Sequence, residues 1–228
     1  MNTMEDDHLL FQASNLYSMN DTSEYKLAEM QSTCVVDEIM ANSELGHPFA
    51  LCFSKKEDFI PMWQMYGDRG KGVCLKFDKS ELETFFKKSS KEDIQYRFQE
   101  CIYDICDKKR TEEKPWSEES KQMPSDLLER ICEASFHKHE SFSYEEEWRL
   151  MIWASYTLGG AKKIKFRTSP NIQPYMEVRI PSSSLKEIVT GPCVSDIEFQ
   201  YLRDLLFVKH SQYNTFLHTS QATLKLKS

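Results

Sequence analysis

The stretch Ser141–Trp153, SFSYEEEWRLMIW, runs three consecutive carboxylates, Glu145, Glu146 and Glu147, into Trp148, Arg149 and an apolar series. Alternate side chains of a strand share a face, which puts Glu145, Glu147 and Arg149 on one side and Glu146, Trp148 and Leu150 on the other. The second set has the character of a core face. A face with two carboxylates and a guanidinium can hold a polar ligand, stabilise a developing positive charge or move a proton. It can equally be a solvated edge whose Glu–Arg pair contributes little. The neighbours Trp148, Leu150, Met151, Ile152 and Trp153 predict a strand deep in a sheet, where charges are costly unless paired or used.

Two other polar clusters adjoin apolar runs. Ser54 closes FALCFS, with Trp63 and Tyr66 downstream. Trp63 suits a core, whereas the Tyr66 hydroxyl needs a partner wherever it is buried. Asn20-Asp21 with Glu24 is well placed to cap a helix and is also a candidate for ligand contacts. Other patterns carry less. His137-Lys138-His139 with Cys132 offers three metal ligands, but no second set supports a site, and no metal is expected. The loop Gly67-Asp68-Arg69-Gly70-Lys71-Gly72 lacks phosphate-loop spacing and leads into a strand. No cysteine sits at an elbow-like turn suited to a nucleophile.

These residues must be held by a framework, and the pattern predicts one. A strand is expected over Leu9–Gln12 and a helix from Asp21, Thr22 or Ser23 to about Met40. A buried strand follows over Phe49–Phe53, then a helix within Asp58–Gly67 that tolerates Pro61 in its first turn. Val73–Phe77 reads as a strand and Asp78 or Ser80 as the start of a short helix. Asp107–Asp126 is highly charged and nearly devoid of aliphatics, the mark of an exposed insertion. Leu127–Phe136 reads as a helix. Ile164–Phe166, Met176–Ile180 and Lys186–Thr190 read as strands, and Asp196–Val208 as an amphipathic helix. Residues 211–228 are polar and weakly patterned. The fold class expected is α+β, a single domain over 1–228 with a mixed or split sheet flanked by helices.

Composition narrows the setting. The chain has 228 residues, of which 40% are hydrophobic and 12% aromatic, enough for a substantial core. A net charge of -7 argues against broad, charge-driven nucleic-acid binding, though not against a nucleic acid held in a local groove. The acidic N-terminus lacks a secretory pattern, and no window has the roughly 18 apolar residues of a membrane span. The 7 cysteines show no C-x-x-C pair, and Cys52 and Cys74 lie in apolar runs as small core hydrophobes. A reduced, cytoplasmic protein without a membrane partner is expected.

Taken together, LLFQASNLYSMNDTSEY, CFS…MWQMYGDRGKGVCLKF, KHESFSYEEEWRLM and PYMEVRIPSSSLKEIVTGP resemble domain-of-unknown-function family 2971, widespread in bacteria. The pieces occur in family order from about Leu9 to Val208, and Thr22 stands where the family's N-D-P-x-E segment has proline. That pattern looks like a distant relative of the ADP-ribosyltransferase fold. By that analogy Ser54 is the second-strand serine and Glu145-x-Glu147 the carboxylate motif, while the first-strand basic residue has no counterpart. The resemblance implies an enzyme that cleaves NAD at the nicotinamide–ribose bond, with NAD as substrate and an unknown protein or nucleic-acid acceptor, and a toxin or defence effector as its setting. Glu147 would stabilise the sugar cation, Glu145 orient or deprotonate the acceptor, Tyr66 or Trp63 stack on nicotinamide, and Arg149 pair with a phosphate or hold Glu147. The same residues also fit a non-catalytic ligand- or protein-binding domain, or a nucleotide- or nucleic-acid-processing hydrolase.

Overall fold

A computed structural model describes residues 8–16, 47–91, 94–104, 135–154, 159–168, 172–210 and 216–222. Asn20, Asp21, the helix expected to follow them, the insertion and residues 127–134 of the next expected helix lie outside the described residues. The described chain is α+β. Its strands are β1 (His8–Asn15), β2 (His47–Ser54), β3 (Val73–Phe77), β4 (Ile94–Glu100), β5 (Ile102–Asp104), β6 (His137–His139), β7 (Glu147–Ala154), β8 (Ile164–Arg167), β9 (Gln173–Pro181), β10 (Leu185–Thr190) and β11 (Phe216–Thr219). Its α-helices are α1 (Ile60–Met65), α2 (Lys79–Ser89) and α3 (Asp196–His210).

The strands form a six-stranded sheet in the order β4-β7-β2-β1-β9-β8, a three-stranded sheet β11-β10-β3 and a two-stranded pair β5-β6. Two compact units are resolved, one of residues 1–10, 56–85 and 179–228, the other of residues 11–55 and 86–178.

In the second unit β7 lies between β2 and β4 and is antiparallel to both, with Ser54 opposite Glu147, Cys52 opposite Arg149 and Ala50 opposite Met151. The strand is buried on both faces, and its run Leu150–Ala154 is apolar. One face carries Phe49, Leu150, Ile152 and Ile94, all buried. It ends in an aromatic cluster, with Phe98 centred 5.4 Å from Phe53, 5.2 Å from Trp148 and 6.3 Å from Phe86. The other face packs Ala50 and Met151 against Phe136. Trp148 and Leu150 do share a face, as the alternation predicts.

In the first unit β10 is antiparallel to β3 and parallel to β11, so β10, α3 and β11 form a strand–helix–strand crossover. The Asp78 carboxylate accepts from the Glu81 amide at 3.0 Å and from Ser80 at 2.6 Å, which caps α2. Pro61 sits in the first turn of α1, where its missing N–H is harmless. At Gly191 the chain passes close to Gly70: a β-carbon there would lie 2.2 Å from the Gly70 carbonyl oxygen. Residues 211–228, expected as a weakly structured tail, contain β11. Beyond it the amides of Gln221 and Ala222 donate to Asp58 at 2.7 and 3.2 Å.

Candidate functional site

Glu147 opens β7, and the backbone around it is fixed on every side. Its amide donates to the Tyr103 hydroxyl at 2.7 Å, and its carbonyl accepts from the Cys101 amide at 2.9 Å. The Glu146 carbonyl accepts from the Lys55 amide at 3.1 Å. Ser54, across the strand pair, donates its hydroxyl to the Glu145 carbonyl at 2.6 Å.

Glu145 reaches the site by a different route from the one that strand alternation predicts. It ends a 3-10 turn, Glu140–Glu145, and Glu146 follows in the left-handed region at φ 44°. That residue breaks the alternation, so Glu145 is not on the strand at all. The turn nevertheless brings its carboxylate beside that of Glu147. Lys138 is the reason: its Nζ donates to Glu145 Oε2 at 2.7 Å and to Glu147 Oε2 at 2.8 Å. Arg149 donates from Nε to Glu147 Oε1 at 2.8 Å and from Nη1 to the Ser135 carbonyl at 2.5 Å.

The result is two cations and two carboxylates in one buried network. Relative exposure is 4% for Lys138, 3% for Glu145 and for Glu147, and 1% for Arg149. The solvated-edge reading of this face is therefore overturned. Groups so buried are tolerable only because their charges balance and their hydrogen bonds are made. Burial pushes the Glu147 carboxyl upward, but the charge and hydrogen bond of Arg149, then Lys138 and the Cys52 thiol, hold it below its ordinary value. Burial dominates at Tyr103, whose hydroxyl is pushed up to about 12. Cys52 itself is exposed, which corrects its reading as a core hydrophobe. Its place at the rim follows from the register, since it shares the face of Ser54 and Glu147.

Of the remaining candidates, Trp63 and Tyr66 belong to the first unit. Trp63 is buried in the first unit, where its indole N–H donates to Asp58 Oδ1 at 2.8 Å. The same carboxylate accepts from Ser220, and these bonds overcome desolvation to lower the Asp58 carboxyl. Tyr66 is 61% exposed in that unit. His137 bonds Asp104 at 2.8 Å and His139 bonds Ser141 at 2.7 Å. Among the described residues no three His, Cys, Asp or Glu side chains are grouped to hold a metal.

Lys138 and Tyr103 are site residues that sequence reasoning passes over. In the sequence Lys138 is visible only as the middle of a candidate metal triplet, HKH. The strand period holds its real signal: between two histidines on a strand, the central side chain faces the opposite way.

Among the described residues no helix is long and apolar enough to cross a membrane. No curated protein and no solved structure matches the chain. A family described as a protein of unknown function, DUF2971, matches residues 62–150, from α1 into β7. That stretch includes Trp63, Tyr66, Lys138, Glu145, Glu147 and Arg149, with Ser54 just before it. The family that the motifs resemble is thus the one whose model matches residues 62–150, and it is described only as a protein of unknown function.

Proposed function

We propose that this protein is an ADP-ribosyltransferase-like enzyme that takes NAD as substrate and cleaves its nicotinamide–ribose bond, with a protein or nucleic acid as acceptor. The observation that carries this reading is the pairing of Ser54 with Glu147 across β2 and β7, at the point where Glu145 joins Glu147 through one ammonium. In this reaction the bond from ribose C1′ to the pyridinium nitrogen breaks and its electron pair leaves with neutral nicotinamide. Positive charge develops on the sugar, and an ionised carboxylate is the group to stabilise it. Glu147 is held ionised by Arg149 and Lys138. An ionised carboxylate has about four acceptor sites, so contacts to Arg149, Lys138 and Cys52 do not exhaust its acceptor capacity. Glu145 then takes the proton of the incoming nucleophile as its bond to C1′ forms. A role as a bacterial toxin or defence effector fits such chemistry.

Incubation with NAD, followed by nicotinamide release, tests this. Glu147→Gln is expected to lower release by about 100- to 1,000-fold, the usual loss when a charge-stabilising group is removed. A wild-type protein that neither releases nicotinamide nor binds NAD by calorimetry would sink the reading.

One observation favours a second reading. Glu145 and Glu147 are already neutralised by Lys138 and Arg149, which suits a non-catalytic binding domain whose ion network serves architecture. Binding of NAD without turnover, at equal affinity in wild type and Glu147→Gln, is its signature.

A further inference from the structure

We infer that α3 is a self-association surface: two copies of the chain pair through its outer apolar face, as antiparallel helices about a two-fold axis that passes close to Arg203.

The helix is apolar on two sides, and only one of them is packed. Phe199, Leu202 and Leu206, spaced as one face, are half-buried. On the opposite side Ile197, Tyr201, Leu205 and Val208 recur at spacings of four, four and three, which makes a second face, with Phe207 at its border. These five side chains are between 54% and 76% exposed. The start of the helix is fixed by bonds that make no use of the band. The Ser195 amide and hydroxyl donate to the Glu198 carboxylate at 2.8 and 2.7 Å, and the Glu198 amide donates back to Ser195 Oγ at 3.3 Å. A helix that is apolar all round belongs in an interior, so the outer face calls for a cover.

The size of the band, its symmetry and its charges point to a second copy as that cover. Side chains of this kind present roughly 150–250 Å² when fully exposed, so the five leave about 600–700 Å² of apolar surface. That exceeds the largest patch of a typical monomer, about 300–600 Å², and approaches the roughly 800 Å² per partner of a standard interface. The band is close to a palindrome about Arg203, since Ile197 mirrors Val208 and Tyr201 mirrors Leu205. A two-fold axis there sets Ile197 against the partner's Val208 and Tyr201 against the partner's Leu205, and the same contacts recur in reverse. Antiparallel helices also place the positive end of one macrodipole beside the negative end of the other. Arg203 Nη2 lies 3.5 Å from Asp204 Oδ1, and both side chains are exposed next to the axis. Each Arg203 there stands near the partner's Asp204 as well as its own. Along Asp196–Val208 three carboxylates stand against one cation, which disfavours an anionic lipid surface as the cover.

Sedimentation equilibrium of the full chain tests this from about 1 to 200 μM, the range suited to an interface of modest area. The wild type is expected to rise towards twice the mass of one chain. Ile197→Glu and Val208→Lys each introduce a charge that suits its end of the helix dipole, so both are expected to fold, as far-UV circular dichroism reads. Each alone should weaken association by about tenfold or more, because an unpaired charge enters an apolar contact. Mixed in equal amounts, the two should recover it. Only the antiparallel pairing sets the new carboxylate of one copy against the new ammonium of the other and leaves the remaining Ile197–Val208 contact native. Tyr201→Gln, a neutral change at the centre, is expected to give a similar loss and decides the matter if a charged variant misfolds. A wild type that stays monomeric at the highest concentration overturns the inference. A dimer that all three variants leave intact does so too, since its contact lies elsewhere. Loss in both charged variants without recovery on mixing refutes the antiparallel pairing and the inference with it.

Discussion

Replacing Arg149 by methionine keeps most of the side chain's length and removes its charge. In the wild type two cations face two carboxylates. The variant keeps the Lys138 bonds to Glu145 and Glu147 but removes the guanidinium from Glu147 and the Nη1 donor from the Ser135 carbonyl. Removing one partner of a buried ion pair costs about 3–5 kcal/mol, because the other charge stays behind. Loss of the hydrogen bond from Arg149 Nη1 to the Ser135 carbonyl adds about 1 kcal/mol. Domains are stable by only about 5–15 kcal/mol, so the variant is expected near the edge of folding. Urea denaturation, followed by tryptophan fluorescence and far-UV circular dichroism, measures the change. A loss of about 4 kcal/mol moves the midpoint by roughly 2 M when the slope is about 2 kcal/mol/M. The pH dependence has a definite sign. The Glu147 carboxyl is held below its ordinary value in the fold, so its contribution is complete above the unfolded-state value and fades as pH falls through the folded one. The deficit of Arg149→Met is therefore largest at neutral pH and shrinks in acid, where protonation relieves the unpaired charge. A deficit below about 1 kcal/mol at pH 7, the range of an exposed pair, would refute the reasoning.

Three further outcomes follow. Cys52 is exposed and Cys101 buried, so brief treatment with iodoacetamide should carboxamidomethylate Cys52 before Cys101, as peptide mass mapping reads; preferential labelling of Cys101 contradicts the register at the site. Gly191→Ala drives a methyl group to within 2.2 Å of the Gly70 carbonyl oxygen and should destabilise by about 2–3 kcal/mol. Gly159→Ala meets no atom within 4 Å and should lose only about 1 kcal/mol through its positive φ; thermal melts that rank the two alike reject the packing account. Asp58 accepts from Trp63, Ser220 and two amides, and its carboxyl is lowered. Those bonds hold above the ordinary aspartate range and loosen as pH falls through the lowered one, so Trp63 fluorescence should change there in wild type and not in Asp58→Asn.

Much of the framework is legible in the sequence because short-range patterns decide it. The strand Val73–Phe77 falls where it is expected, and the FALCF strand ends on Ser54. Pro61 and Asp78 mark helix starts for reasons local to each residue. β4 escapes the sequence reading although Ile94, Tyr96 and Phe98 alternate with Gln95, Arg97 and Gln99, a period-2 signal masked by the charge around it. β5, β6 and β11 are strands of three or four residues whose partners are remote in sequence, and nothing local specifies them. At the site, Glu147 and Arg149 are readable from alternation, which Glu145 escapes because Glu146 adopts a left-handed conformation. Lys138 lies in a separate segment, and only the fold brings its ammonium to the acids.

The three residues that follow β11 have a bearing on how the chain acquires its structure. Asp58 and Ser220 are 162 residues apart, and the first unit is assembled from three segments interleaved with the two of the second. At about 5–20 residues per second, a nascent chain waits roughly 8–30 s between making the acceptor and making its donors. In the last part of that interval, once β10 (ending at Thr190) is made and before Phe216–Thr219 follow, the side of β10 that β11 later covers is an open strand edge, the kind of surface that pairs with the wrong chain. Folding of the first unit during synthesis is therefore late and long-range, and its vulnerable moment comes before β11 emerges.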